Sequence, residues 1–177
     1  MFIQANPQLQ LAGVILSSPF YRFASEIKVN WVKRSVVAFL ARNAPELVMG
    51  AKISIHSLVR RKDTLESFIN DDYLTPFLCL RVAETLMDIS FSLKDLSKIK
   101  LNCPVLVFGS HKDKITEFQY TIELFEKIVS TEKKIHTFPN GLHQAYEDIE
   151  SEEFMSVMSD WIKYKLRTYK MTQNSSL

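Results

Sequence analysis

The 177-residue sequence has little of what makes a small protein rigid or fixes its partner: two cysteines, four glycines and a formal net charge of only +2. Cys79 and Cys103 lie far apart and in no C-x-x-C pattern, so neither a disulfide framework nor a zinc knuckle is indicated, and a reducing compartment fits. Twenty-two Lys and Arg against twenty Asp and Glu leave too small an excess for nucleic acid or an anionic surface to be the default partner. No apolar run approaches the roughly 20 residues of a membrane span. The opening MFIQANPQLQ lacks the basic start and continuous apolar stretch of a signal peptide. These absences lead to the expectation of a cytoplasmic protein with no transmembrane segment, peripheral contact with membranes staying open, in which the sequon at Asn174 has no consequence. No H-E-x-x-H or comparable ligand spacing occurs, and neither a metal nor another cofactor is expected.

What is present is ordinary globular composition, 46% hydrophobic and 24% charged, sufficient for one domain with a real core. Leu11 to Leu16 is a short, almost wholly apolar run closed by Ser17-Ser18-Pro19. Pro104 to Phe108 has the same character and stops at Gly109. Continuous apolar strands of this kind are buried on both faces, as in a parallel sheet. Phe118, Ile122 and Phe125 mark one face of a helix between Glu117 and Val129. A weaker strand, Lys134 to Phe138, ends at the turn triplet Pro139-Asn140-Gly141. Phe154, Val157, Met158, Trp161 and Ile162 then stripe a last helix from about Glu152 to Leu166. Strand, helix, strand, helix in that order predicts an α/β fold with parallel strands and flanking helices.

Between Phe20 and about Lys100 the pattern is helical, as at Trp31, Val32, Val36, Phe39 and Leu40, and no convincing strand is present. Some eighty residues are too many for a simple crossover, and this section reads as a helical cap over one end of the sheet. The expected division is residues 1–19 as a core strand, 20–100 as the cap, 101–170 as the remaining core and 171–177 as a polar tail. Within the cap, Arg60-Arg61-Lys62 reads as a solvated surface rather than a phosphate site. Phe20, Tyr21, Phe23, Trp31 and Phe39 are candidates for lining an acyl tunnel, with ordinary core packing as the alternative.

In open parallel sheets, functional groups gather beyond the carboxyl ends of the strands. Asp113 follows the second strand and His143 the third, thirty residues later. This is the order of the last two members of a hydrolase triad, in which an imidazole takes the nucleophile's proton and a carboxylate fixes the imidazole's tautomer. Taken singly, Asp113 is equally a cap for the helix near Glu117, and His143 a structural loop histidine. His136 reads as structural, and His56 and His111 have no partner legible in the sequence.

The surrounding residues extend the match. Gly13-Val14-Ile15-Leu16-Ser17-Ser18-Pro19, Ile69-Asn70-Asp71-Asp72-Tyr73-Leu74, Cys103 to Gly109 leading to Asp113-Lys114-Ile115, Phe138 to His143, and Val157 to Ile162 appear in one order. The chain resembles the carboxyl-terminal half of the α/β-hydrolase superfamily's monoacylglycerol lipase-like branch, which includes serine aminopeptidase-like and lysophospholipase-like domains. That resemblance implies a partial α/β-hydrolase fold with a cap, Asp113 and His143 as acid and base, and a lipid or small ester as substrate. Two departures accompany it. Asp113 follows the strand-end Gly109 by four residues where the family has three, and no glycine begins a G-x-S-x-G nucleophile motif. No His-Gly oxyanion segment precedes Leu11 either. The reading is therefore the C-terminal part of a serine hydrolase whose nucleophile is absent from these residues. The alternatives are a non-catalytic lipid- or partner-binding protein, or one half of a split hydrolase that takes its N-terminal half in trans. Self-association is the other expected partnership, because the first strand would lack a neighbour.

Overall fold

The computed structural model describes residues 9, 11–25, 27–51, 53–92 and 99–174, with side chains described as far as residue 168. In chain order the elements are β1 (Val14–Ser17), α1 (Trp31–Asn43), β2 (Val48–Gly50), a 3-10 turn (Ile55–Ser57), α2 (Lys62–Ile69), β3 (Phe77–Cys79), α3 (Leu80–Ser92), β4 (Lys100–Leu101), β5 (Val105–Ser110), α4 (Phe118–Lys127), β6 (Val129–Ser130), β7 (Lys133–Phe138) and α5 (Ser151–Asn174). None of the described helices is long and apolar enough to cross a membrane.

β5 is buried at all six positions and stands between β1 and β7 in a parallel sheet of order β1-β5-β7. Its alternating side chains divide the core in two. Val105 and Val107 join Leu101, Cys103, Leu124 and Ile128 on the α4 side. Leu106 and Phe108 join Phe138, Phe154 and Trp161 on the α5 side. Burial of both faces is why this strand carries no polar alternation. β1 begins three residues later than its apolar run, after Gly13, where a Cβ would stand 2.4 Å from the Trp161 ring.

Three expectations need correction. The section 20–100 is not all helix, because β2 and β3 pair antiparallel, with Val48 opposite Cys79 and Gly50 opposite Phe77. Strands of three residues are too short for alternation to register. The stripe read on α1 faces outward: Trp31 is 74% and Phe39 67% exposed, while Val37 and Ala41 pack against Leu80, Ala83 and Met87 of α3. Small residues let α1 and α3 approach closely and left the bulkier side chains on the outside. Finally, α5 continues to Asn174, since no glycine or proline follows Leu166 to stop it. Residues 171–174 of the expected tail are therefore helical, and 175–177 lie outside the described residues.

Candidate active site

The parallel register Gly109↔Thr137 and Ser110↔Phe138 brings the carboxyl ends of β5 and β7 side by side. Two turns leave those ends and are tied to each other. The His111 N–H donates to the Phe138 carbonyl at 3.0 Å, and the Lys112 N–H to the Gly141 carbonyl at 3.1 Å. β5 runs on through Gly109 to Ser110, and a turn closed by Asp113 N–H on the Ser110 carbonyl, at 3.2 Å, folds the acid back.

Asp113 and His143 meet in this corner, with 2.8 Å between His143 Nδ1 and Asp113 Oδ2. The carboxylate performs a second task with its other oxygen. Oδ1 accepts from the N–H groups of Ile115, at 2.8 Å, and Thr116, at 3.0 Å, while the Thr116 hydroxyl donates to Oδ2 at 2.7 Å. The residue flanking α4 is Glu117, so Asp113 caps the preceding turn rather than that helix. Burial pushes the Asp113 carboxyl up. The hydrogen bond and charge of His143, with the Thr116 donors, outweigh burial and hold it below the usual carboxylate range. With one oxygen saturated by backbone donors, the carboxylate cannot rotate away from the imidazole.

The other histidines lie elsewhere. His136 Nε2 is 2.9 Å from Glu153, His111 stacks on Phe118 with ring centroids 3.9 Å apart, and His56 is exposed in the 3-10 turn.

His143 lies at the wall of an apolar cavity of about 320 Å³, beside Ser18, Ile115 and Thr116. Phe20 and Phe23 of the tunnel candidates line it. Tyr21 packs instead into the core on the α4 side, and Trp31 and Phe39 are exposed. Most of the remaining wall is aliphatic, from Ile27, Val37, Met49, Leu78 and Met87.

Sequence reasoning missed two features of this corner. Ser18 has φ of 42°, a conformation rarely adopted by a residue with a side chain, and its hydroxyl donates to the His143 carbonyl at 2.8 Å. A short polar residue closing an apolar strand before proline was the available signal. Arg60, read as part of a solvated cluster, instead pairs with Asp148, whose side chain is wholly buried. Arg61 and Lys62 are exposed, as the solvated reading expects, and Arg61 pairs with the exposed Asp63. No local pattern announces the Arg60–Asp148 contact, which joins residues 88 apart.

Comparison with known proteins gives a consistent picture. Residues 1–150 match the family described as serine aminopeptidase, S33. The chain is 27% identical over 150 residues to the Bacillus subtilis phospholipase YtpA, covering 85% of this chain and 56% of that protein. It is 25% identical over 166 residues to an uncharacterized abhydrolase domain-containing protein of Dictyostelium discoideum, covering 93% of this chain and 17% of the relative. Among solved structures, the monoacylglycerol lipase of Paleococcus ferrophilus superimposes with a TM-score of 0.78 at 23% identity, over 93% of this chain and 63% of the lipase. A soluble variant of the Saccharomyces cerevisiae monoglyceride lipase gives 0.70 at 14% identity, over 85% and 55%. The chain thus spans less than two thirds of each of these proteins.

Proposed function

Because the chain belongs to the serine aminopeptidase S33 family of the α/β-hydrolases, we propose that it supplies the acid, base and acyl-binding cap of a serine hydrolase acting on carboxylic esters such as monoacylglycerol or lysophospholipid. The observation that carries this reading is the 2.8 Å contact between His143 and the buried Asp113 at the wall of an apolar cavity. In the proposed reaction His143 Nδ1–H donates to Asp113, which leaves Nε2 as the base. Nε2 takes the proton of a serine hydroxyl as that oxygen attacks the ester carbonyl, then returns it to the departing alcohol. Water repeats the cycle on the acyl-enzyme. Asp113 stays ionised and balances the imidazolium.

The serine and the oxyanion donors are assigned to a segment carrying G-x-S-x-G outside these 177 residues. Ser18, the serine of the cavity lining, is committed through its hydroxyl to the His143 carbonyl. The test is hydrolysis of a monoacylglycerol and of a short p-nitrophenyl ester, by the chain alone and by the chain fused behind such a segment. Turnover that appears only in the fusion and is blocked by a serine-directed phosphonate supports the reading. No turnover in a folded fusion rejects it.

The cavity itself favours a second reading. Its wall is mainly apolar, with Phe20, Phe23, Val37, Met49 and Leu78 among its residues, a surface that suits an acyl chain whether or not a nucleophile stands beside it. Stoichiometric binding of a fatty acid or monoacylglycerol by the chain alone, with no hydrolysis by the fusion, points to a lipid-binding protein.

A further inference from the structure

Asp148 is five residues beyond His143, and both of its carboxylate oxygens are engaged inside the protein. Oδ1 accepts from the backbone N–H groups of Arg60, at 2.7 Å, and Arg61, at 2.9 Å, while Oδ2 accepts from Arg60 Nε at 2.9 Å. The far end of the same guanidinium donates to Glu150. A fork with two carboxylate partners has a defined orientation that a single ammonium pair lacks.

This pair is the centre of a longer seam between residues 57–64, in the section read as the cap, and residues 143–151. The Gln144 N–H donates to the Leu58 carbonyl at 3.0 Å, the Thr64 hydroxyl donates to the Glu147 carbonyl at 3.0 Å, and the His143 N–H points to the Ser57 carbonyl at 3.5 Å. Between His143 and Asp148 the chain has little slack. It is folded by turn hydrogen bonds from Glu147 N–H to the Gln144 carbonyl, at 3.0 Å, and from Asp148 N–H to the Ala145 carbonyl, at 3.4 Å. Only four residues of compact turn, 144–147, therefore separate Asp148 from the His143 backbone. On the other side of that backbone, Ser18 holds the His143 carbonyl.

We propose that Arg60 and Asp148 form a positioning pair: by clamping residues 57–64 onto the turn that follows His143, they set the imidazole against Asp113. The assignment rests on the hydrolase reading for its catalytic meaning, but the geometry it describes belongs to this chain alone. Displacement of residues 57–64 moves the base, so this stretch, which lies in the section read as the cap but does not itself line the cavity, and the base are mechanically one unit. A clamp of this kind makes sense for an enzyme whose cap carries the acyl chain, since a poorly seated cap would leave the base misaligned and water free to enter.

A purely structural staple would lower stability without changing which nitrogen of His143 carries the proton. The test therefore reads the tautomer. Two-bond ¹H–¹⁵N correlation spectra of the full ¹⁵N-labelled chain, recorded at alkaline pH where the imidazoles are neutral, report the ring protonation of each histidine. His143→Gln identifies the resonance, and the exposed His56 is the internal reference. In the parent chain His143 is expected as the Nδ1–H form. Arg60→Met and the milder Asp148→Asn are expected to lose that form and give a mixture resembling His56, in chains whose circular dichroism remains native. Lys165→Met is the control: it removes a buried lysine paired with Glu132, which precedes β7 at the end away from His143, and should leave the tautomer unchanged. Retention of the Nδ1–H form in both Arg60→Met and Asp148→Asn overturns the proposal, as does loss of it in Lys165→Met to the same extent. A parent chain without the Nδ1–H form overturns it too. Because no turnover is measured, failure of the hydrolase reading in the fusion assay leaves a distinct result.

Discussion

Gly141 lies so close to Ser110 that a Cβ on the glycine would stand 2.8 Å from the serine Oγ, and 2.7 Å from the Phe138 Cβ. The turn carrying His143 is pressed onto the end of β5, and only a residue without a side chain fits between them. Gly141→Ala is expected to cost about 1–3 kcal/mol, the usual penalty for forcing a methyl group into packed structure. Denaturant unfolding measures the loss. In the fusion, the same variant should lower kcat more than it raises KM, because the displaced group is the base.

Under the proposed function, the two proposed triad positions carry unequal weights in the fusion. His143→Ala removes the base and should reduce turnover by about 10⁶-fold. Asp113→Asn leaves the base but no longer fixes its tautomer, at about 10⁴-fold. His111→Ala and His136→Ala should stay near the parent rate, since one stacks on Phe118 and the other pairs with Glu153. Steady-state assays of the four variants check the order. A parental rate for Asp113→Asn would move the acid elsewhere.

Acid should loosen the His143 corner. The carboxyls of Asp113 and Asp148 are both held below their ordinary range. At Asp148, burial pushes upward and is outweighed by the Arg60 side chain and by backbone donors including the Arg60 and Arg61 N–H groups. A depressed folded pKa contributes stability that is complete above the unfolded value, about 3.9, and is lost as pH falls through the lower folded value. Stability measured by thermal melting should therefore be flat with respect to these two groups at neutral pH and decline below about pH 4. In Asp148→Asn that decline should be shallower.

β1 is expected to recruit a second chain. Among the described residues it pairs only with β5, and Val14, Ile15 and Leu16 along it are partly exposed. An apolar strand with an open row of backbone groups is a template for pairing. Light scattering should find dimers or larger species for the isolated chain. A charged substitution such as Leu16→Lys should reduce them, and a monodisperse parent monomer would rule out the strand-edge contact.

Some of this was legible in the linear sequence for a simple reason: burial on both faces leaves a local mark. Pro104 to Phe108 read as an interior strand, and Phe154 and Trp161 as part of one stripe of a covered helix. Asp113 and His143 stood out because each follows a strand, and strand ends in a parallel sheet converge. Where a pattern admits two faces, periodicity is silent. It marked Trp31, Val36 and Phe39 on α1, while packing against α3 selected Val37 and Ala41. Contacts across long separations leave no local mark at all. The antiparallel pairing of β2 with β3, the left-handed Ser18 beneath the His143 carbonyl, and the seating of Arg60 on Asp148 were decided by tertiary structure alone. An arginine at the head of a run of three basic residues and an aspartate at a helix entrance are each most stable in water. Only when the fold removed water from Asp148 did the half-buried Arg60 fork become the lowest-energy partner for its charge.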